Sequence, residues 1–141
     1  MDILVLGSNG QVGNALISVL GDKHNVSFLN RKLLDVTNFE KLNKYFSKKK
    51  FDFVFNAIAY TDVDDAENNR ELCKLTNDNL TLELAHLSVK NNFKLIHYST
   101  DYVFNGKKIS KYTENDFTSP LNHYGYTKLS GENNIINNCN D

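Results

Sequence analysis

The stretch DILVLGSNGQVGNALISVL, Asp2 to Leu20, decides how the rest of the chain is read. Ile3, Leu4, Val5 and Leu6 make a short apolar run ending in glycine, the pattern of a strand buried on both faces. Gly7, Gly10 and Gly13 follow at three-residue spacing, and Ala15, Leu16, Val19 and Leu20 then recur at a helical period. Strand, glycine turn and helix form the first half of a βαβ unit. In such a unit Gly7 permits the tight turn, Gly10 lets a pyrophosphate approach the backbone, and Gly13 brings helix close to strand. The start of the helix adds unpaired N–H groups and a partial positive charge. Three glycines can also make a bare turn, but a buried strand before them and a helix after them favour a dinucleotide site.

Working outward, 141 residues make about one domain with a real core. A formal net charge of -1, with acids and bases interspersed, gives no electrostatic footprint for nucleic acid. The densest basic run, Lys48-Lys49-Lys50, is short and reads as a solvated helix end. No stretch is long and apolar enough to span a membrane. Met1 leads almost directly into the first strand, without room for a leader, so a cytoplasmic protein is expected. Cys73 and Cys139 lie far apart, without metal spacing, and read as reduced cytosolic thiols. His24, His86, His97 and His123 are scattered and read as structural, and no metal site is expected. The chain has no internal repeat.

Asn25 to Leu29 (NVSFL) reads as a second strand beside the first. An acid at its tip would accept hydrogen bonds from a ribose 2′-hydroxyl. The tip here is Asn30-Arg31-Lys32, and Arg31 suits a 2′-phosphate, so NADPH is expected, with NADH as the other choice. Leu33-Leu34-Asp35-Val36 follows too soon for a crossover helix, which places Asp35 near the adenine. Thr37-x-x-Glu40 reads as a capping box opening a helix to about Ser47, with Phe39, Leu42 and Phe46 on one face. Phe51 to Ala59 (FDFVFNAIA) and Phe93 to Tyr98 (FKLIHY) read as further buried strands. Between them Val63 to Lys90 reads as mostly helical, with Leu72, Leu75, Leu80, Leu84 and Leu87 as its apolar face. An Asn105-Gly106 turn, a polar loop to Pro120 and a helix from about Tyr124 to Asn137 complete the chain. Strands alternating with helices predict an α/β fold with a doubly wound parallel sheet, a Rossmann-type domain.

Tyr124 and Lys128 stand four apart on one face of that last helix. A phenol has an ordinary pKa of about 10; an ammonium beside it lowers that value. The pair suits protonation of a carbonyl oxygen as a hydride reaches its carbon. Tyr45 and Lys49 share the spacing but sit before a strand and beside no hydroxyl-bearing strand end, so they read as packing. Tyr124 differs because Ser99 and Thr100 follow a strand's C-terminal end, where open α/β sheets bind ligands. Thr100 can bond the oxygen that Tyr124 protonates.

The G-x-x-G-x-x-G spacing resembles the extended short-chain dehydrogenase/reductases. The blocks ILVLGSNGQVG, LDVTN, FNAIAYTDVDDAE, HYSTDYVFNG and YGYTKLSGE resemble, in order, the dTDP-4-dehydrorhamnose reductases. That resemblance implies a catalytic triad of Thr100, Tyr124 and Lys128. It implies a cofactor site of Gly7, Asn9, Gly10, Gln11, Val12 and Gly13, with Asn30, Arg31, Asp35 and Val36 beyond. Ala57, Ala59 and Tyr60 complete that site, which Tyr124 and Lys128 also border. Thr61, Val63, Asp101 and Tyr102 would border a nucleotide sugar, and Asn77 takes the asparagine position of the central helix. Members of the family run to about twice this length. Residues 1–141 are therefore expected to be an incomplete dinucleotide-binding domain, stopping before the last strands and the domain that grips the sugar. The readings that stand beside reduction of a 4-keto sugar are another nucleotide-sugar epimerase or reductase and a broken reading frame. A further one is a dinucleotide-binding module without turnover, like the regulatory subunit of methionine adenosyltransferase. A homodimer and a separately encoded C-terminal half both stand open as partners.

Overall fold

The structure, a computed structural model, describes residues 1–139. Four parallel strands, β1 (Asp2–Leu6), β2 (Asn25–Leu29), β3 (Phe53–Asn56) and β4 (Lys94–His97), lie in the order β2-β1-β3-β4. The chain leaves β1 in one direction for β2 and returns in the other for β3. The order therefore reverses between β1 and β3, and a crevice opens there at the C-terminal strand ends.

Each face of the sheet takes alternate residues of every strand. Leu4, Leu6 and Val54 point to one face and meet Leu42 and Phe46 of α2 (Phe39–Phe46) and Leu80, Leu84 and Leu87 of α4 (Leu80–Asn91). Phe46 stacks on Phe93 and meets Phe51 edge-on, closing the far end of this core. Burying each such side chain contributes roughly 1.5–3 kcal/mol. Ile3 and Val5, 2% and 0% exposed, point to the other face, towards α1 (Gln11–Leu20). In register with them, Phe53 and Phe55 are only half-buried. Helices on both faces of a parallel sheet are the doubly wound architecture expected.

Several local expectations change. Asn38, not Thr37, caps α2, its side chain accepting from the Lys41 N–H, because the Thr37 hydroxyl is already spent on Asp35 at 2.6 Å. Helix α1 packs through Gly13, Leu16 and Leu20, which leaves Ala15 and Val19 exposed on its outer side. Strands β3 and β4 are shorter than their apolar runs, since Ala57–Ala59 and Tyr98 turn out along the crevice. The long helical segment is α3 (Arg70–Lys74), a π-helical turn at Leu75–Asn79, and α4. Leu72 leaves its apolar face at 42% exposure and lines the crevice instead. Asn92, in the left-handed region at φ 56°, ends α4 as an asparagine at this position can. Tyr45 stacks on Phe51 with Lys49 over its ring, so this pair is packing as read. Beyond Gly106 the polar loop closes on itself through the Lys108–Asp116 ion pair and the Phe104–Tyr112 stack.

Candidate active site

The glycine loop sits at the point where the strand order reverses. Gly7 takes φ +85°, and a Cβ there would lie 2.7 Å from the Ala57 carbonyl oxygen. A Cβ on Gly13 would lie 2.2 Å from the Gly7 oxygen, so this buried residue sets how closely α1 approaches the loop. Gly10 differs. Its added Cβ would meet the Gly7 oxygen at 3.4 Å and nothing nearer, so bare backbone faces open space. Gly10 is also the N-cap of α1, with no side-chain cap and no acid in the first turn. Free N–H groups at a helix start, beside a glycine that leaves room, suit a phosphate. The residues present thus fit a dinucleotide.

Two clefts meet over this loop. One, about 410 Å³, is lined by Gly7, Asn9 and Gly10, then Asn30, Arg31, Asp35 and Val36, then Ala57, Ala59 and Tyr60. The Asn30 side chain accepts from the Lys32 and Leu33 N–H groups and donates to Asn9, which fixes the turn that presents Arg31. The Leu29 carbonyl accepts from both Gly7 and Ser8, tying the tip of β2 to the loop. Hydrogen bonds from the Thr37 side chain and backbone hold the Asp35 carboxyl below its ordinary pKa, so it is an anion beside the cleft. The Tyr60 hydroxyl donates to Asp65, and this bond pushes the phenol up to about 12.

The second cleft, about 590 Å³, shares Asn9, Gly10, Ala57, Ile58 and Ala59 with the first. It runs on past Gln11, Val12 and Thr61 to Ser99, Tyr124 and Lys128. Tyr124 and Lys128 project from α5 (His123–Asn138), which Asn122 caps by accepting from the Gly125 N–H. A Cβ on Gly125 would stand 2.3 Å from the Tyr102 oxygen, so glycine lets α5 begin tight against the turn after β4. The Tyr102 ring meets the Tyr124 ring edge-on at 5.6 Å. Lys128 is 2% exposed; its Nζ donates to the Tyr98 carbonyl at 2.5 Å and lies 3.2 Å from His97 Nε2. Burial lowers this ammonium to about 8, with Glu132 opposing.

Gly13, Val63 and Thr100 line neither cleft. Thr100 caps the short turn Asp101–Val103, its hydroxyl accepting from the Tyr102 N–H and donating to Asp101. Asp101 and Tyr102 border a smaller cleft of about 260 Å³ with Leu121 and Asn122. Asn77, 1% exposed, accepts from the Tyr60 N–H and donates to the Tyr60 carbonyl and Thr127. It pins the crevice wall to α5. Missed from sequence were Asn56 and His97, an in-register pair at the ends of β3 and β4. Each is a polar residue within an apolar run, but nothing in the sequence pairs the two.

The family profile described as "RmlD substrate binding domain" matches residues 1–141. The chain is 43% identical over 132 residues to the dTDP-4-dehydrorhamnose reductase of Burkholderia thailandensis, covering 94% of this chain and 44% of that protein. The enzyme of the same name from Salmonella typhimurium is 37% identical over 147 residues, with 99% and 48% covered. The fold matches the crystal structure of a dTDP-4-dehydrorhamnose reductase from Clostridium acetobutylicum with TM-score 0.95 and 36% identity, covering 99% of this chain and 50% of that one. A Bacillus anthracis dTDP-4-dehydrorhamnose reductase, solved in complex with NADP, matches with TM-score 0.94, 31% identity and the same coverage. The chain spans about half the length of the relatives it matches.

Proposed function

From the premise that the chain belongs to the RmlD substrate binding domain family, we infer that it carries the dinucleotide-binding and proton-donating part of an NADPH-dependent reductase. Its substrate is a nucleotide-linked 4-keto sugar, dTDP-4-dehydrorhamnose, reduced to dTDP-L-rhamnose. The observation that carries this reading is the continuity of the two clefts: one groove joins the glycine loop to Tyr124 and Lys128.

The nicotinamide, when bound, supplies the hydride. Residues 1–141 act as its binding domain. Gly10 and the first turn of α1, with Gln11 and Val12, take the pyrophosphate, while Asn9, Asn30 and Arg31 face the adenosine ribose and its 2′-phosphate. Asp35 and Val36 border the adenine, and Ala57, Ala59 and Tyr60 form the wall over β3. Tyr124 gives its phenolic proton to the sugar's carbonyl oxygen, to which Thr100 can donate once its hydroxyl turns from Asp101. Lys128, when charged, is the cation that lines this end of the groove with Tyr124. Thr61 borders the sugar in the groove, with Asp101 and Tyr102 beyond it in the smaller cleft. Gly13 serves by position alone.

Cys73 and Cys139 are free thiols, in keeping with a cytoplasmic protein, and among the described residues no helix is long and apolar enough to cross a membrane. A module that binds dinucleotide without turnover has no use for Tyr124 and Lys128 beside the groove, so that alternative is not favoured. Holding a sugar at near-attack distance contributes about 7–11 kcal/mol, and it needs walls beyond those in this groove. The test therefore joins residues 1–141 to the C-terminal half of a related reductase. NADPH consumption is followed with dTDP-4-dehydrorhamnose, for this hybrid and for the chain by itself. The hybrid turns over, the chain alone does so barely, and Tyr124→Phe lowers the hybrid's rate by roughly 10²–10⁴. A Tyr124→Phe hybrid as fast as its parent removes Tyr124 from the chemistry.

A further inference from the structure

Asn56 and His97 close β3 and β4 at the same level of the sheet, directly beneath Lys128. Asn56 is 1% exposed, and its amide is fixed at one end because the Ile58 N–H donates to Oδ1 at 3.2 Å. The other end, Nδ2, is a donor and lies 3.1 Å from His97 Nδ1. Turning the amide over would set its NH₂ group against the Ile58 N–H, donor against donor. His97 Nδ1 must therefore accept. A neutral imidazole carries one proton, so that proton sits on Nε2, which faces Lys128 Nζ at 3.2 Å. An ammonium offers three donors and no acceptor, whereas an amine offers a lone pair.

We propose that His97 is a positioning residue for Lys128: Asn56 locks its proton on Nε2, and that N–H, aimed at Nζ, favours the lysine as a neutral amine. The amine's hydrogen-bonding is then complete on the protein side. One N–H goes to the Tyr98 carbonyl, the lone pair takes the His97 N–H, and the second N–H is left for the cleft. Other titratable groups surround the pair. Glu132, one turn along α5, favours the ammonium but is engaged by the Ser99 hydroxyl. Tyr124 shares the cleft and Tyr98 adjoins His97. Glu67, Cys73 and Asp78, from the layer packed on α5, bond His123, Thr127 and Asn134 instead. Burial and the Lys128 charge hold His97 neutral, down to about 3. This inference rests on the reading of Lys128 as the partner of Tyr124: if that reading holds, the Asn56 amide sets the pH at which the phenol has a cation beside it.

Nuclear magnetic resonance of the isotope-labelled chain tests it without dinucleotide, so the outcome is independent of whether the wild type binds NADPH. His97 is expected as the Nε2–H tautomer, unchanged from pH 8 to 5, and Lys128 to titrate near 8 rather than 10.5. Asn56→Asp replaces the donor NH₂ by an acceptor oxygen. The ring proton should move to Nδ1, Nε2 should become an acceptor, and the Lys128 midpoint should rise. The new carboxylate also attracts the ammonium directly, so the same exchange is made in a His97→Gln background, where no ring can pass the change on. A larger rise with His97 present supports the relay; equal rises in the two backgrounds overturn it. So does a wild-type Nδ1–H tautomer, or a His97 that titrates near 6.5. Should Asn56→Asp fail to fold by circular dichroism, the wild-type tautomer and the Lys128 midpoint in His97→Gln decide. That midpoint must then rise.

Discussion

At the glycine-loop end of the groove the wall is main chain, and at the Tyr124 end it is a set of side chains bonded to one another. Around Gly7, Gly10 and Gly13 the shape comes from what is missing: three absent Cβ atoms, each with a different consequence. Around Lys128 it comes from what is present, since His97, the Tyr98 carbonyl and, through His97, Asn56 are all within hydrogen-bond reach. The first kind of site tolerates drift in its surroundings and fails when an atom is added. The second tolerates little, because each partner fixes the donor or acceptor role of the next.

Adding atoms at the loop gives the largest expected effects and separates its glycines. Gly10→Val fills the space a pyrophosphate needs while meeting the protein no closer than 3.4 Å at Cβ. The variant should fold as wild type by circular dichroism and bind NADPH at least about a hundredfold more weakly, about 2.7 kcal/mol. Unchanged affinity in the folded variant would remove the loop from the dinucleotide site. Gly13→Ala should do the reverse. Its Cβ would sit 2.2 Å from backbone that cannot yield cheaply, so urea unfolding should show a loss of roughly 1–3 kcal/mol. Cofactor loss in proportion to unfolding, and no more, would mark Gly13 as a packing residue alone.

The side-chain end is broken by protons instead. His97 is held neutral in the fold, down to about 3, against an ordinary 6.5. Between those values the unfolded chain takes up a proton that the folded chain refuses. Stability is therefore lost as pH falls through 6.5 towards 3. Unfolding free energies from urea titrations at pH 7 and pH 5 should differ by an amount of order 1 kcal/mol more in wild type than in His97→Gln. An equal acid loss in both proteins would place the titrating group elsewhere.

That contrast also explains what could be read from the chain. Glycine spacing reports absent atoms, which a sequence displays directly, and the strand–turn–helix around Gly7 to Gly13 stands where it was expected. The spacing of Tyr124 and Lys128 likewise fixes their shared helix face. The His97–Asn56 pair was not legible, because the two are 41 residues apart and meet only through the register of β3 on β4. Nor could periodicity reveal that a π-helical turn at Leu75–Asn79 carries Asn77, whose side chain bonds Tyr60. The misplaced cap of α2 had a different origin. Thr37 and Asn38 are both good caps, and Asp35 competes for the threonine.

The smallest effect belongs to Arg31, the one charged side chain at the loop end whose role depends on the cofactor's own charge. It is exposed, on a turn fixed by Asn30 and not by any bond of its own guanidinium among the described residues. An exposed pair of opposite charges contributes about 0.2–1 kcal/mol. Arg31→Ala should therefore weaken NADPH only about two- to fivefold and leave NADH unchanged, read by fluorescence titration of both. The difference should shrink as salt is raised, since a contact at the protein surface is screened once the Debye length falls to a few ångströms. If NADPH and NADH weaken alike, Arg31 supports the turn rather than meeting a phosphate. Thermal unfolding separates the cases, because loss of a supporting contact lowers the midpoint without any cofactor present, whereas loss of a phosphate contact does not.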